Sequence, residues 1–436
     1  MTESHTDHTH DTPLPDATVD VAPVRKIALI AAVVGLGAWA IMGFFNAQVD
    51  TEHGTREFFL SYLCGFIFWS SLPFGALAMT MLGFLTQASW GVILRRIFGA
   101  AIRTMPVFAA LGIPILVSLF IADGKQSPFW WSDHKFEGAM ESVAKTQKIR
   151  PEAAEELQHK IHDWLNPTFF TIRYLIYFTI LGLIAYKVTT WSRPNEDNDD
   201  RTAKSKIYGL SGPGVLIWAL LMALFATDWV MSVEPSWASS MFPIVFGMNQ
   251  FLTTLTFGTF VFYTLTKGNA DVTALIKDKF RIDIGSLTLG FCMVWAYASF
   301  CQFMLVWAGN LPEEIPYYLK RGAGQLPNSW VYMLYILIIL HWLTPFIILL
   351  FRDVKLNPNS MRVMTVFLMT VCACDVVLWI VPSVPHEKGV LHIPMAFAAI
   401  IGVGGLWGLA FARELGKRAI LAKNHEVKFL AEWGHH

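Results

Sequence analysis

Residues 225–242 read FATDWVMSVEPSWASSMF and directly follow LSGPGVLIWALLMAL at 210–224, a stretch without a charge. A helix crossing the hydrocarbon core of a bilayer takes about twenty apolar residues, so Asp228 falls where the chain is still inside lipid. A carboxylate at that depth costs about 2.5–3.5 kcal/mol even on translocon-insertion scales. Such a group is retained where it faces protein or a wet cavity, so Asp228 needs a partner from another helix.

The surrounding chain repeats the pattern. Its 436 residues are 54% hydrophobic and only 15% charged, with a mean hydropathy of +0.45, a balance that excludes a soluble domain. Apolar runs bounded by charges, prolines or aromatic residues fall at 26–47, 58–85, 99–122, 167–188, 209–233, 239–266, 284–308, 329–352, 360–381 and 392–413. The expected fold is an all-α integral membrane protein of ten transmembrane helices. Spans 2–5 and 6–9 enter in the same order, which suggests two parallel four-helix bundles flanked by spans 1 and 10. An even number of spans puts both termini on one side. Two thirds of the 33 Lys and Arg fall on that side, which is therefore read as cytoplasmic.

Three domains follow: a polar cytoplasmic tail over 1–25, the membrane domain over 26–413, and a cytoplasmic amphipathic tail over 414–436. The first tail is rich in His and Asp and lacks a basic n-region and a small-residue cleavage site, so span 1 reads as an uncleaved anchor. Its histidines read as solvated rather than metal-binding. The outer loop 123–166 opens with PFWW and contains PEAAEELQHKIHDWL, where Leu157, Ile161, Trp164 and Leu165 share a helical face expected to lie on the membrane or against a partner. Leu421, Phe429, Leu430 and Trp433 give the C-terminal tail a similar character. Cys64, Cys292, Cys301, Cys372 and Cys374 all lie in apolar runs, with no CxxC for a cluster or zinc and no CxxCH for covalent haem. No metal site and no covalently bound cofactor are expected, and nothing points to nucleic acid.

At 1.5 Å per residue, Asp228, Asp375 and Gln302 lie roughly 22–28 Å from the cytoplasmic starts of their spans, in the outer half, and Arg173 lies roughly 9 Å below the outer surface. His341, Asn249 and Gln250 fall near the midplane. The inner half offers only hydroxyls such as Thr80, Thr179 and Tyr186. Trp295, Ser299 and Gln302 share one face of span 7, and Asn249, Thr253 and Thr256 one face of span 6. Arg173 with Asp228 or Asp375 reads either as an ion pair that fixes packing or as part of a proton path. One base does not neutralise two acids, so a carboxyl that holds and exchanges a proton is expected. The proton-path candidates are Asp228, Asp375, His341, Arg173 and Glu234, the last at the mouth of the group; His341 ahead of Pro345 also reads as a group satisfying a kinked backbone. Gln302, Asn249 and Gln250 are polar-pocket candidates, or interhelical hydrogen-bond glue.

The stretch TDWVMSVEPSW at 227–237, FCQFMLVWAGNLPEEIPYY at 300–318, the long outer loop after PFWW and the ten-span layout resemble the second polysulfide-reductase-type membrane subunit of bacterial alternative complex III. The resemblance covers about residues 26–415. It implies a multi-pass subunit of the bacterial inner membrane in a quinol:cytochrome c oxidoreductase. Its partners would be a related membrane subunit, an iron–sulfur protein and c-type cytochromes, which carry the clusters and haem c. Quinone and phospholipid are the candidate bound molecules. Glu313 and Glu314 would face the outer surface, as a proton exit, a docking loop or a solvated acidic loop. One departure is Ser236, after Pro235, where relatives commonly carry a histidine.

The leading functional expectation is thus a subunit that is not catalytic alone and contributes a proton path. The competing expectation is a secondary transporter with a midplane site made by broken helices, with Gly212, Pro213, Gly214 and Pro114 as possible breaks. A b-type cytochrome would need paired histidines, and only His341 and His392 are near, at different depths.

Overall fold

The computed structural model describes residues 20–49, 54–133, 151–198, 200–267, 269, 272, 277–312, 314–322, 329–383 and 392–421. Glu313, the polar tail before residue 20 and the tail beyond 421, with Phe429, Leu430 and Trp433, lie outside them. The described chain is helical: α1 Ala22–Val49, α2 Gly54–Thr86, α3 Ser89–Ile93, α4 Arg95–Ile102, α5 Met105–Ser118, α6 Pro151–His159, α7 Pro167–Asn198, α8 Arg201–Trp229, α9 Phe242–Leu265, α10 Asp278–Gly309, α11 Ile315–Lys320, α12 Ser329–Leu337, α13 Thr344–Leu350, α14 Arg352–Leu356, α15 Pro358–Ile380 and α16 His392–Leu415. Among the described residues nine helices are long and apolar enough to cross a membrane, or ten when α4 and α5, bent by 43°, count as one span. The protein is a multi-pass helical membrane protein.

Local chemistry sets the helix ends. The Asp200 carboxylate accepts hydrogen bonds from the backbone N–H of Thr202 and Ala203 and starts α8, and Asn357 caps α15 in the same way. Asn310 takes a left-handed φ of 48° and stops α10. The possible breaks in the fifth span do not occur, since α8 runs unbroken through Gly212, Pro213 and Gly214. The Pro213 ring faces the carbonyl of Gly209, and Gly209 and Gly212 are open positions with no side chain to crowd it. Pro114 likewise lies inside a continuous α5, and the bend falls at Arg103 and Thr104 instead.

Helix α2 is buried on nearly every side and packs against α1, α4, α5, α8, α9 and α16. Helix α9 is the second hub, touching α2, α8, α10 and α15. The apolar α1 is held chiefly by α16 through a close backbone approach: a Cβ on Gly405 would lie 2.1 Å from the Ala32 nitrogen, and one on Gly35 would lie 2.4 Å from the Gly402 nitrogen. Elsewhere α1, α10 and the α12–α13 span expose large apolar side chains, as a lipid-facing surface requires. Alternating helix directions give two faces, a terminal face carrying residues 20 and 421 and a distal face opposite.

The amphipathic segment at 151–165 differs from expectation. Leu157, Ile161 and Leu165 are buried in the protein's own core at the distal face. They turn inward because α6 continues into a π-helical turn, Lys160–Trp164, from which the Lys160 ammonium donates to the Pro235 carbonyl at 3.0 Å and Trp164 reaches Asp228.

Candidate functional site

Asp228 lies in the last turn of α8 and Arg173 on α7, less than two turns from its distal start. The guanidinium donates from Nε to Asp228 Oδ2 at 2.7 Å and from Nη2 to Oδ1 at 3.0 Å. Trp164 Nε1 donates to Oδ1 at 2.9 Å, and the Tyr177 hydroxyl, one turn along α7 from Arg173, donates to Oδ2. Four donors thus occupy the carboxylate, and a proton on either oxygen would have to displace one of them. Arg173 is equally committed: Nη1 donates to the Trp164 carbonyl at 2.7 Å, and the Trp164 and Phe169 rings lie 4.3 and 4.5 Å from its central carbon. This is a bidentate pair with its remaining hydrogen bonds filled. Lys160, half-buried above it, has its ammonium pushed down by burial, with the Asp228 charge opposing the shift.

Asp375 does not join that group. It belongs to a second cluster on α9, α10, α15 and the α12–α13 span, where His341 Nδ1 lies 2.6 Å from Asp375 Oδ2, close enough for an ion pair although the ring is not aligned for a hydrogen bond. Asn249 Nδ2 donates to the same oxygen at 3.2 Å and to the Cys372 carbonyl at 3.4 Å. The Trp295 ring stacks on the imidazole, centroids 3.7 Å apart and planes inclined by 20°, while Nε2 faces the Cys372 sulfur at 4.0 Å. His341 is wholly buried and Asp375 nearly so. The backbone explains how a histidine is presented here. His341 lies in a π-helical turn, Ile338–Leu343, four residues before Pro345, which has no N–H to bond the His341 carbonyl. The expected kink residue is thus also a partner of Asp375, and the two acids have different basic partners, a permanent cation for Asp228 and a titratable ring for Asp375.

The remaining candidates are spread around these clusters. Glu234, at the distal face, pairs through Oε1 with Lys320, while its buried Oε2 has no protein partner. Its neighbour Trp237 stacks on Tyr317 at 3.6 Å, and Arg321 covers the other face of Tyr317 at 3.5 Å. Burial pushes the Tyr317 phenol up. Gln302 Nε2 donates to the Tyr318 hydroxyl at 3.1 Å, and its buried Oε1 has no partner among the described residues. Gln250 is wholly buried, and neither amide atom bonds a described residue. Glu314 lies at the distal face just before α11. Among the described residues no three His, Cys, Asp or Glu side chains are grouped to hold a metal ion.

Several buried charges were not anticipated. On the terminal face Arg96 of α4 bonds Glu196 at 3.0 Å and Asp197 at 2.8 Å at the end of α7, and Arg418 beyond α16 bonds the same two acids. On the distal face Arg321 donates to the carbonyls of Leu378 and Trp379 at 3.0 and 2.6 Å and to Ser383 Oγ at 2.9 Å, capping α15. Asn46 donates to the buried Glu57 at 2.6 Å, joining α1 to α2. Runs such as LRR at 94–96 and NED at 195–197 read as ordinary loop charges, and no signal in the sequence joins them. No protein-family model matches the chain, and no curated protein matches it.

Proposed function

We propose that this chain is a proton-handling membrane subunit of a quinol-oxidising respiratory complex in the bacterial inner membrane, with the His341–Asp375 pair as its proton-exchange centre. One observation carries the reading: a wholly buried imidazole 2.6 Å from a nearly buried carboxylate, with no permanent cation bonded to that carboxylate among the described residues. Such a pair holds one proton between two groups of different basicity and can pass it on, whereas the Arg173–Asp228 pair is a static lock. Asn249 fixes the carboxylate and Trp295 the plane of the ring, so the pair keeps its geometry as its charge changes. This narrows the proton-path candidates to His341 and Asp375, with Asp228 and Arg173 as scaffold.

The helix grouping supports the same reading. Helices α2, α4, α5, α7 and α8 make up one set and α9, α10, α12–α13 and α15 another, joined by α2 and α9 and flanked by α1 and α16. We read these as the two bundles of a ten-span protein with both termini cytoplasmic. The His341–Asp375 pair belongs wholly to the second bundle.

A quinone headgroup needs a hydrogen-bonding partner at each oxygen on a path open to lipid. Asn249 and Gln250 are wholly enclosed, and the Gln302 amide nitrogen is already bonded to Tyr318, so they do not fit that task. We assign quinol oxidation, haem c and iron–sulfur clusters to partner subunits, the related membrane subunit, the iron–sulfur protein and the c-type cytochromes, as the resemblance implies. The chain handles the protons that the oxidation releases. Gentle solubilisation of an affinity-tagged chain, followed by an absorption spectrum and identification of co-purifying proteins, tests this. Haem- and cluster-bearing partners with quinol oxidase activity are expected, and a chain that purifies alone and takes up a solute in liposomes would replace this reading with the transporter.

A further inference from the structure

The proton-exchange reading leaves open how a proton leaves a pair buried beneath the distal loops. The Asp228 group is no outlet, because its donors and acceptors are saturated. The buried face of α10 differs. Starting at His341 it presents Trp295, stacked on the imidazole, then Ser299 one turn nearer the distal face, then Gln302. Among the described residues Trp295 Nε1, Ser299 Oγ and Gln302 Oε1 find no hydrogen-bond partner though all three are buried, and the Gln302 side chain is itself more than nine-tenths buried. The other end of Gln302 bonds the Tyr318 hydroxyl, on the distal helix α11.

A second, independent observation comes from the facing helix. Gly247 on α9 is buried, yet a Cβ built on it would meet no atom within 4 Å. Phe251 and Phe291 stack between antiparallel α9 and α10, centroids 5.5 Å apart. One turn beyond that contact on each helix come Gly247 and Trp295, so the open space lies at the height where the unpartnered polar atoms begin. Buried polar atoms without protein partners beside open space are where internal water completes the hydrogen bonding.

We infer that protons leave the His341–Asp375 pair through a hydrated passage between α9 and α10, lined by Gly247, Trp295, Ser299 and Gln302 and opening at Tyr318. This rests on the proton-exchange reading and names its route. The step is proton transfer alone. The N–H or O–H bond of the pair breaks as a bond to water forms, and each later carrier gives up one proton as it receives another. The last is released at the distal face, and the pair is reset by a proton from the terminal side. The Ser299 hydroxyl both donates and accepts and relays directly. Gln302 does not ionise and is a positioning residue that holds a water at Oε1.

The test uses the native assembly in liposomes, reading protons released per electron with an impermeant dye. S299A, Q302L and G247L should each lower proton release at least tenfold, while S299T, Q302E and G247A, which keep the hydroxyl, the acceptor and the open space, should stay near wild type. G247A also shows that the position tolerates a side chain; Q302N replaces Q302L if that variant does not assemble, with the same outcomes. Wild-type proton release in assembled S299A, Q302L and G247L, with release lost in D375N, would overturn the passage and leave the reading standing. Wild-type release in D375N as well would remove both.

Discussion

Asp228→Asn removes a charge and little volume, and the structure sets its effect. The carboxylate accepts from Arg173 Nε and Nη2, Trp164 Nε1 and the Tyr177 hydroxyl. An Asn amide offers one oxygen and turns two donors toward the others, leaving Arg173 a buried cation without its counter-ion. Breaking a buried pair this way costs about 3–5 kcal/mol. Arg173 keeps the Trp164 carbonyl at 2.7 Å and two aromatic faces, which points to the lower end. A loss of about 3 kcal/mol lowers the folding equilibrium constant by about two powers of ten. Trp164 also loses its acceptor, so the 151–165 segment should loosen. The triple variant R173M/Y177F/D228L, which replaces the pair and the buried Tyr177 hydroxyl with apolar groups, should lie within about 1–2 kcal/mol of wild type, because no charge is then stranded and the half-buried Trp164 can turn its indole to water. Denaturant unfolding in micelles gives the energies, and limited proteolysis reads the segment. D228N that unfolds with wild-type stability and keeps the segment protected would refute the argument that Asp228 is held by a saturated ion pair.

Four further outcomes follow from the same geometry. D375N should cost only about 1–2 kcal/mol, because its partner His341 can stay neutral, and a loss as large as that of D228N would mean the imidazole is a fixed cation. Lys160, with an ammonium pushed down by burial, binds its proton more weakly folded than unfolded, so segment docking should strengthen as pH rises through its folded value toward about 10.5; proteolysis across that range should show it, and K160M should flatten it. G405V should detach α1 from α16 at a cost of about 1–3 kcal/mol, seen as lost cross-linking between introduced cysteines, whereas G37V, at an open position, should not. Impermeant labelling should reach cysteines at His159 and Lys206, both exposed, from opposite sides of the membrane.

The spans were legible because apolar runs of this length are a one-dimensional property, and the structure moves most of their ends by a few residues, while α7 runs on past 188 to Asn198 and α8 begins before 209, at Arg201. That Arg173 pairs with an acid was legible too, since depth arithmetic put it in the outer half with Asp228 and Asp375, but the choice of Asp228 came from the structure. The assignment of Asp375 was not. It sits at a depth similar to Asp228, and the sequence says nothing of which neighbour α15 packs against; α9 and the α12–α13 span separate it from Arg173 and supply His341 and Asn249. His341 was read both as a proton-path candidate and as a group satisfying the backbone before Pro345; the π-helical turn there turns its ring toward Asp375 and not to a backbone group. The apolar face of 151–165 was correctly drawn, and only its cover was misplaced, since the clips at Pro235 and Asp228 are long-range contacts. Arg96, Glu196 and Arg418 escaped notice because charges near helix ends are ordinary in membrane proteins, and their cluster forms only when segments 100 and more residues apart meet.

The central claim is that His341 and Asp375 exchange protons while Asp228 and Arg173 do not. It is tested most directly by proton release per electron in liposomes holding the native assembly, comparing D375N with the triple variant R173M/Y177F/D228L. D375N should assemble and lose proton release, and R173M/Y177F/D228L should assemble and keep it. Full proton release in D375N, or its loss in assembled R173M/Y177F/D228L, would contradict the account.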